Sequence, residues 1–414
     1  VILFVVAAGI RLAWILLQTW RTEGAFSFPD EIVYWSMADS LAKGLTMQDH
    51  EGMKAGQMPL YPALLALFGH GLAGPLTARC AQAGIGASVA PLVALLAVKF
   101  STRSTAILAG AIAAVDPFSI YFSHLILTET LFATALVAFC LVAWPKDATI
   151  ANPPPAIAWI PAGILLGVCL YLRPSAAAFA MWWIGLEAAS SRRWAPSIQK
   201  LALIMAVACL SLVPWAGRNQ SAIGEWTWLT QRTGISLYDG VGPQATGASD
   251  LADVKNSPEI TQLSEPGRNR YFLEASIDAI RQNPSRILSL AVTKLLRTWS
   301  PRIHAESGQS IGIQIISISW SLAIYLCTLV GIVNMRHRAG LIALLLAPAT
   351  YFSLIHMLFV GSVRYRLPAM PMMEILAAIG LAVLVSTFRS GPCASHPAAP
   401  LAPTQAPGDN NDRP

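Results

Sequence analysis

The sequence is short of charge. Only 12% of its residues are Asp, Glu, Lys or Arg, against roughly 25% in an ordinary soluble domain. Such a chain lacks the polar surface that keeps a globular enzyme in solution. Cysteine is scarce in any chemical arrangement. Of six, Cys80, Cys140, Cys169, Cys209 and Cys327 fall in apolar stretches, Cys393 lies in the tail, and none forms a CxxC. A disulfide framework or a zinc site is therefore not expected. No Lys/Arg stripe with interleaved aromatics occurs, which argues against a nucleic-acid partner. No internal repeat at a fixed period is present.

Apolar residues are plentiful, at 55%. They gather in blocks of about 17–25 residues, the length that spans a bilayer core. Blocks stand at 1–20, 76–99, 104–122, 127–144, 156–172, 175–190, 200–217, 311–335, 339–360 and 367–388. The expected fold is an all-α integral membrane protein with about ten transmembrane helices. The 175–190 block is the shortest, and 59–72 is apolar but too short to span, as a re-entrant or interfacial helix would be. The chain opens at Val1 inside an apolar run, with no small-residue cleavage site behind it. The reading is a retained first helix with a few residues missing before it.

Short-loop cations set an orientation. Lys99, Arg103, Lys146, Arg192, Arg193, Lys200, Arg336, Arg338 and Arg389 all fall on one side of a ten-helix arrangement, with both termini. That side is read as the cytoplasm. The net charge of +6 then belongs to loops facing anionic lipid. The other side receives two long segments, about 21–75 and 218–310. The second carries PSRILSLAVTKLLRTW at 284–299, which reads as an amphipathic helix on the membrane surface. It is a small soluble insertion, not a separate domain. Residues 1–388 form one transmembrane unit, and 389–414, rich in Pro, Ala, Asn and Asp, read as a disordered cytoplasmic tail.

This topology brings ionisable residues from distant parts of the sequence to one membrane surface. Asp30 and Glu31 follow the first helix, Glu129 starts the fourth, Arg173 ends the fifth, Arg218 ends the seventh, and Arg364 and Arg366 precede the tenth. Arg173, Arg364 and Arg366 also stand where loop cations are disfavoured. Charge against that bias points to function. Arginine offers a planar fork of permanent charge for phosphate, and a nearby carboxylate can take a proton from a hydroxyl. With a sugar on a polyprenyl phosphate, the leaving group is already a good anion and needs cations more than a general acid.

The motifs around these residues are FPDEIVYWSMADSLAKGL at 28–45, QMPLYPALLALF at 57–68, HLILTETLFA at 124–133, YLRPS at 171–175, VPWAGRN at 213–219 and VRYRLPAMP at 363–371. In this order the sequence resembles the GT-C-type membrane glycosyltransferases, the group of protein O-mannosyltransferases and lipid A aminoarabinose transferases, over about residues 1–388. The resemblance implies a bacterial inner-membrane enzyme with a polyprenyl-phosphate sugar as co-substrate and no tightly bound cofactor. It also implies an inverting transfer to a lipid, glycan or protein hydroxyl on the periplasmic face. Asp30 is implied as base, with Glu31 and Glu129 as further catalytic carboxylates. Arg364, Arg366, Arg173, Arg218, Tyr34 and Lys54 are candidates for substrate binding. Some relatives have a basic residue before the first-loop proline pair; here Gln57 and Met58 stand there, and Lys54 is the nearest cation.

Each residue also has a plainer reading. Asp30, Glu31 and Glu129 could serve helix N-termini, and Arg173 and Arg218 helix C-termini. Arg364 and Arg366 could snorkel to head groups; two apart in an extended loop, they would point opposite ways. A divalent metal on Asp30 and Glu31 lacks a third ligand. Arg11 and Glu374, inside spans, call for partners. The competing classes are a transporter or lipid flippase, an oligosaccharide ligase with a pyrophosphate-linked donor, and a membrane scaffold.

Overall fold

A computed structural model describes residues 1–68, 74–144, 155–250, 260, 262–303 and 310–389. Every predicted apolar block lies on helix, and among the described residues there is no strand. α1 (Ile2–Thr22) leads into α2 (Pro29–Ala42) and α3 (Leu60–Ala66) of the first loop. The chain then runs through α4 (Gly74–Ala87), α5 (Val89–Ala97), α6 (Arg103–Val115), α7 (Pro117–His124), α8 (Glu129–Ala143), α9 (Ile160–Leu172), α10 (Phe179–Ser191) and α11 (Trp194–Ile223). The large loop holds α12 (Thr233–Val241), α13 (Glu265–Gln282) and α14 (Pro284–Thr298). α15 (Ile311–Asn334), α16 (Ala339–Leu345) and α17 (Ala347–Leu358) follow, then a 3-10 turn at Val363–Ala369 and α18 (Met370–Arg389). The expected tail beyond Arg389, with Cys393, and the loop cation Lys146 lie outside the described residues.

By length and composition, 5 helical stretches among the described residues can cross a membrane, with α4 and α5 taken as one and the 3-10 turn joined to α18, or up to 7 if each bent pair counts as one span. Two of the expected spans are broken. α6 and α7 meet at 43° where Asp116 precedes Pro117. Proline lacks an N–H and disfavours helix in the residue before it. Asp116 then caps the new helix, accepting from the amides of Phe118 and Ser119. α16 and α17 meet at 54°, again just before a proline, Pro348. The segments Glu129–Ala143 and Ala156–Leu172 are apolar but shorter, and α10 has only 13 residues.

Packing is closest between α15 and α18. A Cβ on Gly380 would stand 1.9 Å from the Cys327 carbonyl oxygen, and one on Gly331 2.2 Å from that of Leu376. Glycine is required here because the backbones touch, the contact that drives helix association where lipid replaces water.

The two ends of the bundle differ chemically. At one end Lys200 donates to Glu187 (2.6 Å) and to the last-turn carbonyl of Ala143 (2.7 Å). Arg338 reaches the carbonyl of Phe100. Loops expected on one side thus meet there. At the other end the two long loops join. Arg218 donates to the carbonyls of Lys54 and Met47, at 2.7 and 2.8 Å. The Glu265 carboxylate accepts from the amides of Lys54 and Ala55.

α14 is amphipathic, but its cations face inward. Arg286 donates to four carbonyls between Val241 and Ala245. Lys294 is buried and donates to the carbonyls of Met357 and Leu358, at 3.2 and 2.8 Å, closing the C-terminus of α17. Leu288, Val292 and Leu296 face outward. Burial holds the Lys294 ammonium at about 8 instead of 10.5, with Asp239 pulling it up and Arg286 pushing it down. The unfolded chain then binds a proton between those values that the folded chain does not, so stability rises as pH climbs through that window. The thermal midpoint in detergent is therefore expected to gain more between pH 8 and 10 in wild type than in Lys294→Met. Parallel pH curves would contradict the assignment.

Candidate active site

The site begins in the loop after α1. Glu23 and Gly24 take left-handed backbone, at φ 51° and 79°. The chain turns into α2 with Pro29 at the first helical position. Asp30 and Glu31 follow in the first turn and do different things. Glu31 is fully buried. One carboxylate oxygen accepts from the amides of Ser27 (2.9 Å) and Phe28 (3.1 Å); the other accepts from the Ile126 amide (3.0 Å) and from Arg79 (3.4 Å). These bonds tie the start of α2 to α4 and to the segment before α8. They leave Glu31 holding the backbone, with its oxygens turned away from the neighbouring Asp30 cluster.

Asp30 points to Arg364, whose Nη1 donates to its Oδ2 at 2.8 Å; the Asp30 side chain is 36% exposed. The same guanidinium donates through Nε to Glu129 Oε1 at 2.6 Å. Arg173 donates to that oxygen at 2.9 Å. Glu129, at the head of α8, is fully buried, and its Oε2 has no partner among the described residues. Two carboxylates and two guanidiniums thus form one chain, Asp30–Arg364–Glu129–Arg173. Burial pushes the Asp30 carboxyl up, but the charge and hydrogen bond of Arg364, with the charges of Arg232 and Arg173, outweigh it and hold the group below its usual range. Asp30 is therefore an ionised, partly open carboxylate.

Tyr34 is buried one turn along α2, with its hydroxyl 3.3 Å from Gln57 Oε1 and its ring edge-on to Tyr61. Burial and the charges of Asp30 and Glu129 push its phenol up to about 12, so it stays a hydrogen-bond donor. Arg364 also lines a small cavity with Arg297, Phe28, Tyr121 and Ile303. A second cavity, of about 190 Å³, shares Tyr121 and Ile303 and is otherwise walled mainly by Trp14, Phe118, Ile313 and Ile316. Cations stand at one end of this pair and hydrocarbon at the other.

Besides Glu31, three expected site residues lie elsewhere. Arg366 is buried and donates to the Ser300 carbonyl (2.7 Å), Tyr325 (2.7 Å) and Ser321 (3.0 Å), with its guanidinium over the Phe118 ring. It and Arg364 do diverge, although on a 3-10 turn and not in an extended loop. Arg218 serves loop carbonyls and stacks on Trp215. The main chain of Lys54 carries the bonds from Arg218 and to Glu265. His124 is buried with Nε2 unpaired among the described residues, while Glu129 is taken by arginines. Among the described residues no group of three or more His, Cys, Asp and Glu gathers. The link between Asp30 and Glu129 is a guanidinium.

The sequence reading passed over Arg79, Arg232 and Arg297. Arg79 had a signal: a cation inside a predicted span, at a depth where charge is costly. Arg297 was visible only as part of an amphipathic helix. Nothing in the sequence marked Arg232.

No protein-family model matches the sequence, and no curated protein matches it. Solved structures do. The archaeal oligosaccharyltransferase AglB from Archaeoglobus fulgidus, in complex with an inhibitory peptide and a dolichol-phosphate, superposes with a TM-score of 0.56 at 14% identity, over 93% of this chain and 50% of AglB. An Archaeoglobus fulgidus oligosaccharyltransferase in the apo form gives 0.55 at 12% identity, over 93% of this chain and 50% of that one. The likeness shows a fold shared with these oligosaccharyltransferase structures. The chain spans about half the length of AglB. ArnT from Cupriavidus metallidurans, bound to undecaprenyl phosphate, is a weaker likeness, at a TM-score of 0.45 and 16% identity over 92% of this chain and 77% of that one.

Proposed function

We propose that this GT-C-like chain is a membrane glycosyltransferase that moves a sugar from a polyprenyl-phosphate carrier to an acceptor hydroxyl. The observation that carries the reading is the pairing of Asp30 with Arg364, which lines a cavity that shares Tyr121 and Ile303 with a larger apolar one. A polyprenyl phosphate has the matching polarity, an anionic head on a hydrocarbon tail. The likeness to AglB, which holds a dolichol-phosphate, adds to it.

In this mechanism the acceptor oxygen bonds to the anomeric carbon as the bond from that carbon to the phosphate oxygen breaks. The acceptor proton passes to Asp30, which Arg364 keeps ionised. The polyprenyl phosphate leaves as an anion, and Arg364 and Arg297 stabilise it, so no general acid is needed. In-line displacement inverts the anomeric centre. Glu129 and Arg173 hold Arg364 between the two carboxylates, and Tyr34 lines the acidic side.

The short helices α8, α9 and α10 complete ten crossings in this reading, with residues 1–388 as one unit. The active site then faces the periplasm of a bacterial inner membrane, and both termini face the cytoplasm. The gathering of Lys200, Arg338 and their loops at the opposite end supports that orientation. The sugar donor and a lipid, glycan or protein acceptor are the expected partners.

Photocrosslinking tests the reading. An undecaprenyl phosphate with a photoreactive tail is expected to label peptides containing Tyr121 and Ile316, in competition with unlabelled lipid. Labelling spread over the outer surface of the bundle, without competition, would count against it.

A further inference from the structure

Arg11 sits in the middle of α1 and is buried. A cation at that depth demands partners, and the break between α6 and α7 supplies some. Pro117 has no N–H to give to the Ala113 carbonyl, and the Phe118 amide is taken by Asp116. Arg11 serves both freed carbonyls, Ala114 at 3.1 Å through Nη1 and Ala113 at 3.5 Å through Nη2. Asp116 and Glu374 lie close enough to act on its charge. Its Nε has no partner among the described residues.

Arg11, Gly86, Ser119, Glu129 and Thr130 line a cavity of about 20 Å³ whose remaining wall is apolar. Glu129 is the second orphan: its Oε2 is buried and unpaired, while its Oε1 carries both arginines of the site. A residue with an unpaired donor and a residue with an unpaired acceptor therefore border one small cavity. Its size suits a single water, which requires two to four polar partners. Gly86 keeps the space open, since a Cβ there would come within 2.4 Å of Thr130 Cγ2 and 3.9 Å of Arg11 Nε.

We propose that this cavity is a water site through which Arg11 holds the free oxygen of Glu129. Arg11 Nε–H donates to the water, and the water donates to Glu129 Oε2. Thr130, which donates its own proton to the Phe122 carbonyl, is left to accept the second water proton. Arg11 is then a positioning residue. It fixes the plane of the Glu129 carboxylate from the membrane side, and Glu129 in turn fixes Arg364. The functional consequence rests on the reading of Arg364 as the phosphate-binding cation; the water site itself does not.

Two measurements separate those layers. The first is a structure of the full-length protein in nanodiscs, at a resolution that shows ordered water. Density within hydrogen-bonding distance of Arg11 Nε and Glu129 Oε2 is expected in wild type. It should be lost in the double variant Gly86→Ala/Thr130→Ser, where the new methyl fills the space and the clashing Cγ2 is gone. A wild-type cavity without such density overturns the proposal whatever the protein does. The second is undecaprenyl phosphate affinity. Gly86→Ala/Thr130→Ser and Arg11→Met should each weaken binding on the order of tenfold, as expected when a buried polar group loses its partner. Combining them should add little, because both remove one link. Arg11→Lys should recover most of the loss, which a merely structural role would not predict. Additive losses with no recovery in Arg11→Lys would overturn the coupling. If wild type shows the water but binds no undecaprenyl phosphate, the coupling to a phosphate site is overturned along with the functional reading, and the water site stands.

Discussion

Asp30→Asn is expected to reduce transfer by about 10²–10⁴-fold, the usual contribution of a general base, while polyprenyl phosphate binding persists. The substitution keeps an oxygen for Arg364 at the position that now accepts its 2.8 Å bond. It removes the site for the acceptor proton. The neighbouring Glu31→Gln is the informative control. Glu31 touches Ser27, Phe28, Ile126 and Arg79. Its neutralisation leaves Arg79 buried without a charge partner, a loss that costs about 3–5 kcal/mol for a buried pair. Glu31→Gln should therefore lower thermal stability more than turnover of the surviving protein. Radiolabelled sugar transfer and melting in detergent, run on both variants, separate the roles. Full transfer by Asp30→Asn would remove it as base.

Arg364→Ala is expected to show the larger binding defect. Truncating one member of a buried, hydrogen-bonded charge group typically costs about 2–5 kcal/mol, or roughly 30- to several thousand-fold in affinity for the phosphate. A second effect follows from Asp30. In wild type its carboxyl titrates below the usual range because Arg364 outweighs burial. A depressed carboxylate contributes stability above its unfolded value, and that contribution is lost as pH falls through the folded value. With Arg364 gone, burial is opposed only by Arg232 and Arg173, and the carboxyl moves up. The acidic limb of the variant's residual activity should begin at a higher pH than that of wild type. Superimposable limbs would contradict the electrostatic account.

The sequence made the helices and the gathering of charge readable for one physical reason. Apolar blocks of spanning length have few alternatives, and a charge beside such a block must sit at a membrane boundary. Asp30, Glu129, Arg173 and Arg364 could thus be assigned to one surface, and the structure brings them into one hydrogen-bonded chain. Which boundary charges face each other was not readable. Arg366 and Arg218 looked equivalent to Arg364 and Arg173 in position, yet each serves backbone carbonyls of its own neighbourhood. Glu31 and Arg79 are 48 residues apart, and their pairing exists only once α2 and α4 are packed. The bends at Asp116 and before Pro348 had local proline signals, but mean hydropathy ran through both and hid them. Sequence shows that a buried charge is costly; only packing shows what satisfies it.

The central claim, a polyprenyl-phosphate site governed by Arg364, is tested most directly by mass spectrometry of lipid co-purified with the detergent-solubilised protein. Wild type and Asp30→Asn should carry a polyprenyl phosphate or its glycosylated form, which would also name the sugar, and Arg364→Ala should have lost it. Wild-type protein that retains other membrane lipids but no prenyl lipid would contradict the account.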